Sequence, residues 1–288
     1  MSSSLAPSLL VTFREALEAA LIVAIVASYL KKIGKQKFNR YLYQGVLAAV
    51  IVSALVGVGI FAAFGELSDT SAEIFEGAAS ITATVVLTYM ILWMAQHAQN
   101  IRTELERKIE AAITTGQLVG IIALSFVAVL REGLETVLFL TALATTDAAG
   151  TALGIVVASV IVVALAFLII RGTYRLDIKK FFQYTSVILI VFAAGLAGSG
   201  IHDLIEAGGD LGIQFGVLAQ PAYNINPPVN PDGSFPLLHD QGAVGSILGS
   251  LIGYTGSPEW LRIIVYLAYW LIVGAFVLRT YRKTSAKT

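Results

Sequence analysis

Apolar residues in this chain neither alternate nor form a narrow stripe; they run almost unbroken for about 20 positions at a time. Seven such runs stand out, at 8–30, 41–64, 76–96, 117–143, 151–170, 181–203 and 260–279. A helix rises 1.5 Å per residue, so about 20 apolar residues cross the ~30 Å hydrocarbon core of a bilayer. The pattern predicts an all-α integral membrane protein with seven transmembrane helices in a single domain over 1–288. Between 207 and 258 the apolar pattern breaks. Asn226-Pro227-Pro228 and Asn230-Pro231-Asp232-Gly233 are turn sequences, so this part is expected to be a long external loop, with 243–252 lying along the interface. Met1–Pro7 has no basic residue, and the run behind it holds Arg14, Glu15 and Glu18. That is a poor signal peptide, so the first helix is expected to be retained.

Composition agrees with the pattern. The chain is 57% hydrophobic and 13% charged, with mean hydropathy +0.79, whereas soluble domains carry about a quarter charged residues. A soluble enzyme is excluded on that ground. Nineteen basic and nineteen acidic residues balance, which leaves no basic surface for a nucleic-acid backbone. Cysteine is absent, so metal chemistry must use oxygen or imidazole. Of the nineteen basic residues, sixteen fall at or after the ends of runs one, three, five or seven; Arg14 and Arg131 lie within runs, and only Arg262, at the head of run seven, falls on the opposite side. Basic residues mark the cytoplasmic loops, so the N-terminus is expected outside and the C-terminus inside. The outer side is acidic in consequence, a face that concentrates cations or simply solvates its loop charges.

Two runs are interrupted by the same pentapeptide. Arg14-Glu15-Ala16-Leu17-Glu18 lies in the first and Arg131-Glu132-Gly133-Leu134-Glu135 in the fourth, 117 residues apart. Charges inside a membrane are rare and mark functional sites by default. Glutamates at i and i+3 share a helix face, and the arginine four residues before the second glutamate can hold it ionised. Four carboxylates and two guanidiniums sum to −2, an arrangement suited to a hard cation. The alternative is that two ion pairs merely lock helices together, although buried pairs seldom add net stability.

The duplication extends beyond the motif. Runs 1–3 (about 8–98) and 4–6 (about 117–206) each contain an odd number of crossings, so the two copies form an inverted repeat, with the seventh helix added. Transporters of that design bind substrate near the midplane between the halves. Gly45, Ala49, Ser53 and Gly57 in run two, and Gly150, Gly154 and Ala158 around run five, allow close helix packing.

On these residues the chain resembles the oxidase-dependent iron transporter family, which includes fungal high-affinity iron permeases and bacterial EfeU-type permeases. The resemblance rests on both R-E-x-L-E motifs, Glu76-Gly77 opening the third helix, Tyr89 to Met94, Ala193-Ala194-Gly195-Leu196 and Glu206-Ala207-Gly208. It implies a seven-helix iron permease of the plasma membrane, here the bacterial inner membrane. It also implies iron (Fe3+ or Fe2+) as transported substrate, no permanently bound cofactor, and an external ferroxidase or periplasmic iron-delivery proteins as partners. Arg14, Glu15, Glu18, Arg131, Glu132 and Glu135 are the iron-handling residues by that resemblance, and it reaches Glu76 and Glu206 as further metal-binding candidates.

An outer mouth is expected where Asp69, Glu73 and Glu76 meet His202, Asp203 and Glu206. For His202 the simpler reading is a histidine bonded to a neighbour. Glu76, Ser80, Thr84 and Thr88 recur every fourth residue, a carboxylate followed by hydroxyls that could hydrate a moving ion or simply bond back along the helix. No nucleotide-binding loop is present, so the membrane potential or proton exchange is left to drive transport. Rival readings are a permease for another cation, such as lead or manganese, and an intramembrane enzyme using carboxylates as acid and base.

Overall fold

The computed structural model describes residues 4–64, 69–97, 101–114, 119–144, 147–170 and 178–285. Among them nine α-helices occur: α1 (Leu5–Lys32), α2 (Asn39–Phe64), α3 (Asp69–His97), α4 (Ile101–Thr114), α5 (Val119–Ala144), α6 (Ala148–Ile170), α7 (Ile178–Asp210), α8 (Ala243–Ile252) and α9 (Trp260–Ser285). No strand is present among the described residues; an isolated bridge joins Pro221 to Glu259. Seven helices answer the seven apolar runs. By length and composition four segments, Gln36–Ala63, Thr70–Met94, Ala148–Ile169 and Tyr184–Asp210, are apolar enough to cross a membrane. The charged motifs set α1 and α5 apart from these, and the apolar stretch of α9, Trp260–Phe276, is shorter.

Helix ends follow local chemistry. Ser4 precedes α1, but its hydroxyl donates to the Leu143 carbonyl (3.2 Å) instead of capping its own helix. At the other end Gly34 adopts φ +71°, and Lys35 N–H closes on Leu30 O at 2.8 Å, a left-handed stop open to glycine. Lys31 and Lys32 occupy the last turn, favourably placed for the helix dipole. Two helices run further than their apolar pattern. α3 begins at Asp69, so Glu76 lies two turns inside it and does not open it, and α7 continues to Asp210, past His202, Asp203 and Glu206. Acids in the first turns of α3 suit the helix dipole; at the end of α7 glycine and aspartate disfavour the helix locally, and its last turn is held by packing, Asp210 accepting from Thr70 of α3.

α4 is an element the apolar runs did not contain. It is short and amphipathic: Leu105 and Ile109 are buried, and Ile109 packs with Val26, Leu30, Leu42 and Ile121 where α1 ends and α2 and α5 begin. Its opposite face carries the exposed Glu104–Lys108 pair at 2.6 Å.

Packing orders the bundle. α1 lies against α6, α2 against α5, α3 against α7, and α1 against α5. Ser4 at the start of α1 touches Leu143 near the end of α5, and Ser8 donates to Gly150 O in the first turn of α6 (3.5 Å). α1 therefore runs opposite to α5 and alongside α6. Gly45, early in α2, faces Ser125 and Ile122, early in α5, so these two also run together. Thr70 at the head of α3 donates to Asp210 at the tail of α7 (2.9 Å), an antiparallel pair. The glycines are placed for contact. A Cβ on Gly154 would stand 2.8 Å from Leu5 O, and one on Gly77 would stand 2.9 Å from Gly200 O. Outward faces of α2 and α6 expose Leu47, Leu55, Val58, Val160 and Val163, the aliphatic surface a helix turns toward lipid. The main core joins Leu87, Met90, Phe139, Phe192 and Leu196 between α3, α5 and α7.

The segment after α7 is tied to itself and to the bundle. Asp240 accepts from Asn226 Nδ2 (2.6 Å) and from Gly256 N (2.6 Å), and Asp240 N donates back to Asn226 Oδ1 (3.1 Å). α8 packs on α7 and α1. Gly253, at φ +73°, meets Gly195 so closely that a Cβ on Gly195 would stand 2.7 Å from Gly253 N. Gly195 lies midway along α7, so the end of α8 packs against the middle of that helix, while Val244 and Ile252 stay exposed.

Replacing Gly154 by valine is expected to push α1 off α6 and destabilise the protein by about 1–3 kcal/mol. Gly59→Ala, where nothing lies within 4 Å of the new Cβ, is expected to leave stability unchanged or slightly raised. Thermal unfolding of both variants in detergent, followed by circular dichroism, checks the contrast.

Candidate functional site

The face-to-face packing of α1 and α5 brings the two pentapeptides together. Glu15, Glu132 and Glu135 each present one carboxylate oxygen, all within 4.8 Å of one another. Two oxygens on a common small hard cation, at about 2.0–2.2 Å each, lie roughly 3–4 Å apart. Closing the triad on an ion thus needs a shift of about an ångström. One oxygen on each of the three, Oε2, is buried with no hydrogen-bond partner. A buried carboxylate oxygen left unmatched is expensive, and a proton or a cation at this junction would relieve that cost.

The i to i+4 pairing expected from the motif is present in both copies. Arg14 reaches Glu18 at 2.6 Å and Glu15 at 2.5 Å, and donates to Met90 Sδ at 3.0 Å. Arg131 Nε donates to Glu135 at 2.8 Å, stands 4.0 Å from Glu132, and its guanidinium carbon lies 4.7 Å over the Trp93 ring. Glu18 is buried on Arg14 and is not one of the three converging oxygens. All four motif glutamates thus meet at this junction: three bring oxygens within 4.8 Å of one another, and Glu18, paired with Arg14, has Glu15, Glu132 and Glu135 as charged neighbours.

A second group of charges lies where the head of α3 meets the tail of α7. Glu76 has Glu73 and Glu206 as charged neighbours, and Asp203 has His202, Glu76, Glu206 and Arg262. His202 Nδ1 is 2.7 Å from Glu259 Oε1, and its Nε2 is 3.7 Å from Glu206. The histidine is thus bonded to a neighbour. Burial acts to raise the Glu259 pKa, but the His202 hydrogen bond and the His202 and Arg262 charges outweigh it and leave the carboxyl below its ordinary value. The side chain of Asp69 lies outside the described residues.

The hydroxyl stripe of α3 is engaged in packing. Thr84 donates to Ser80 O (2.9 Å) and lies 3.3 Å from Ala193 O of α7; Thr88 donates to Thr84 O (2.7 Å) and meets the Tyr269 hydroxyl at 3.0 Å. Ser80 is buried against Gly200. These protons close onto the i−4 carbonyls, and the face carrying them is the seam with α7 and α9.

Several residues of both groups were not singled out from sequence. Trp93 and Met90 are apolar by type, and only the adjacent arginines give them a role. Glu259 and Arg262 sit three apart at the head of α9, and their signal was that Arg262 is the one outer basic residue.

The iron permease FTR1 family model matches residues 5–280 of this chain. An uncharacterized protein of Archaeoglobus fulgidus is 38% identical over 279 residues, 97% of this chain and 96% of its own length. The ferrous iron permease EfeU of Yersinia pestis is 32% identical over 272 residues (93% of this chain, 91% of its own), and that of Escherichia coli O6:K15:H31 (strain 536 / UPEC) is 32% identical over 277 residues (93% and 94%). No solved structure matches. With the match running from the head of α1 into α9 and taking in both charged motifs, the chain belongs to the FTR1 family of iron permeases.

Proposed function

We propose that this chain carries iron inward across the plasma membrane, holding the ion at the junction of the two Arg-Glu-x-x-Glu motifs. The observation behind this is the convergence of Glu15, Glu132 and Glu135, from opposite halves of the chain, within 4.8 Å. In this reading the substrate ion exchanges water for these carboxylates, while Arg14 and Arg131 keep the unloaded site from being over-charged. Without them, bare carboxylates in contact would take up protons in place of metal. The relatives' name, ferrous iron permease, favours Fe2+ as the species. An inside-negative potential contributes about 2.3 kcal/mol per charge per 100 mV, hence roughly 4.6 for a divalent ion. No permanently bound cofactor enters the scheme, and an external ferroxidase or periplasmic delivery protein would supply the ion.

The wider architecture belongs to the same proposal. The chain is a multi-pass membrane protein; the seven crossings are α1, α2, α3, α5, α6, α7 and α9, N-terminus outside and C-terminus inside, with a bacterial inner membrane as the setting. An inverted repeat of α1–α3 and α5–α7 is supported by the packing. Exchanging the halves turns the α1·α6 contact into α5·α2 and maps α1·α5 and α3·α7 onto themselves. Ser8 and Ser125, 117 residues apart like the motifs, each meet a glycine of the neighbouring helix, Gly154 and Gly45. Glu73, Glu76, Asp203 and Glu206 then lie at the outer end, where they gather cations.

Reporter fusions after Lys37 and Lys283 are expected to read cytoplasmic and those after Asp147 and Asp232 external; the reverse sign at Asp232 overturns the topology. In proteoliposomes supplied with radioactive Fe2+, Glu15→Gln, Glu132→Gln and Glu135→Gln are each expected to lower uptake at least about tenfold, one charge-assisted ligand being worth ~1.5–3 kcal/mol. Full uptake by all three variants returns the motifs to a structural role. Glu76→Gln and Glu206→Gln are expected to raise the half-saturating iron concentration with less effect on the maximal rate, which a saturation curve reads directly.

A further inference from the structure

The two pentapeptides have the same charged pattern, yet their arginines are placed differently. Arg14 is buried, its side chain 3% exposed, and it clamps both glutamates of its own motif through two terminal nitrogens, at 2.5 and 2.6 Å. Arg131 is 38% exposed and uses Nε on Glu135, leaving Glu132 at 4.0 Å. What α5 has and α1 lacks is an aromatic face: the Arg131 guanidinium carbon stands 4.7 Å over the ring of Trp93, from α3, whereas Arg14 meets the Met90 sulfur one turn earlier on that helix. A guanidinium over an indole gains the attraction of the ring's negative face, most strongly away from water. The ring contact fixes where Arg131 sits, and from that seat its N–H edge meets Glu135 at 2.8 Å and Glu132 at 4.0 Å.

We infer that Trp93 is a positioning residue for the transport site: by seating Arg131 on its ring it holds the guanidinium on Glu135 and keeps it from closing on Glu132, so that Glu132 is the carboxylate most open to the ion. This rests on the permease reading above and adds to it why the two half-sites differ. In the α5 half the arginine is close to one glutamate only, whereas in the α1 half Arg14 is clamped on both Glu15 and Glu18. A half-exposed guanidinium within a spanning helix must face water or a cavity and not lipid. The Arg131 side is accordingly where the site opens. On α3, whose C-terminal end lies beyond Trp93, that is the cytoplasmic side under the proposed orientation, so the Arg131–Trp93 stack stands between the bound ion and its exit.

The test is the iron dependence of initial uptake rates in proteoliposomes, with Trp93 replaced by tryptophan carrying one, two and three ring fluorines. Fluorination drains the ring's negative face while keeping its shape, so folding is preserved and a merely structural role would not respond. The half-saturating Fe2+ concentration is expected to rise stepwise, reaching about tenfold at the end of the series, with the maximal rate within about twofold. Trp93→Phe is expected to fall inside that range. In an Arg131→Gln background the series is expected to be flat, because no guanidinium remains to be seated. A flat series in the unmodified background, or equal steps with and without Arg131, overturns the inference while leaving the permease reading intact. Absence of iron uptake by the wild-type protein overturns the permease reading and this inference with it.

Discussion

Everything in this fold is organised around six charged side chains that lie where water is scarce. Removing a carboxylate from water incurs several kcal/mol per ion even after relaxation, and only close, well-aimed guanidiniums and a bound cation return it. The two motif helices must therefore be held face to face at fixed register. No local preference of α1 or α5 does this. It falls to α6 and α2, which grip them from outside through glycine contacts at Gly154 and Gly45, and to α3, whose Met90 and Trp93 touch the two arginines. The surrounding aliphatic layer needs little specificity beyond filling space and facing lipid.

The near-equivalence of the halves makes their differences informative. The pair-exchange pattern of helix contacts accounts for the shared charges, while α3 lends a sulfur to one arginine and an indole to the other. α8 and α9 close one flank of α7. They bring Glu259 onto His202 and Gly253 onto Gly195. Departures from symmetry are thus concentrated on α3 and α7, the helices that meet each other at Gly77 and Gly200.

Long elements were legible because hydropathy at about 20 residues is a strong signal, and the Arg-to-Glu i+4 geometry could be written from spacing alone. Helix ends were not, since Asp69 to Phe75 and Ile205 to Asp210 mix Ile, Phe and Ala with acids, hydroxyls and glycines, so the continuous apolar run stops before the helix does. α4 escaped because its polar face outweighs Leu105 and Ile109 in any average. At the site, the four glutamates were readable as a set but their inequality was not. Whether Glu18 or Glu15 turns toward Glu132 depends on the crossing of α1 and α5, a tertiary quantity with no trace in one-dimensional spacing. The hydroxyls of Thr84 and Thr88 carried both readings equally in sequence, and their distances to Ser80 O, Thr84 O and Tyr269 show the protons engaged in packing.

The Asp240 clasp has a bearing on how the segment between α7 and α9 could be recognised. A segment of turns and prolines held only at its ends would sample many shapes, and each ordered residue would subtract about 1–2 kcal/mol from any encounter. Here Asn226, Asp240 and Gly256 knot the segment across its width, while Ala222 and Ile225 bond to Pro258 and Gly256. Most of that entropy has been surrendered during folding. A macromolecule docking on this segment would therefore meet a relief already cast, and its selectivity would be decided by shape rather than by the willingness of a loose chain to mould itself.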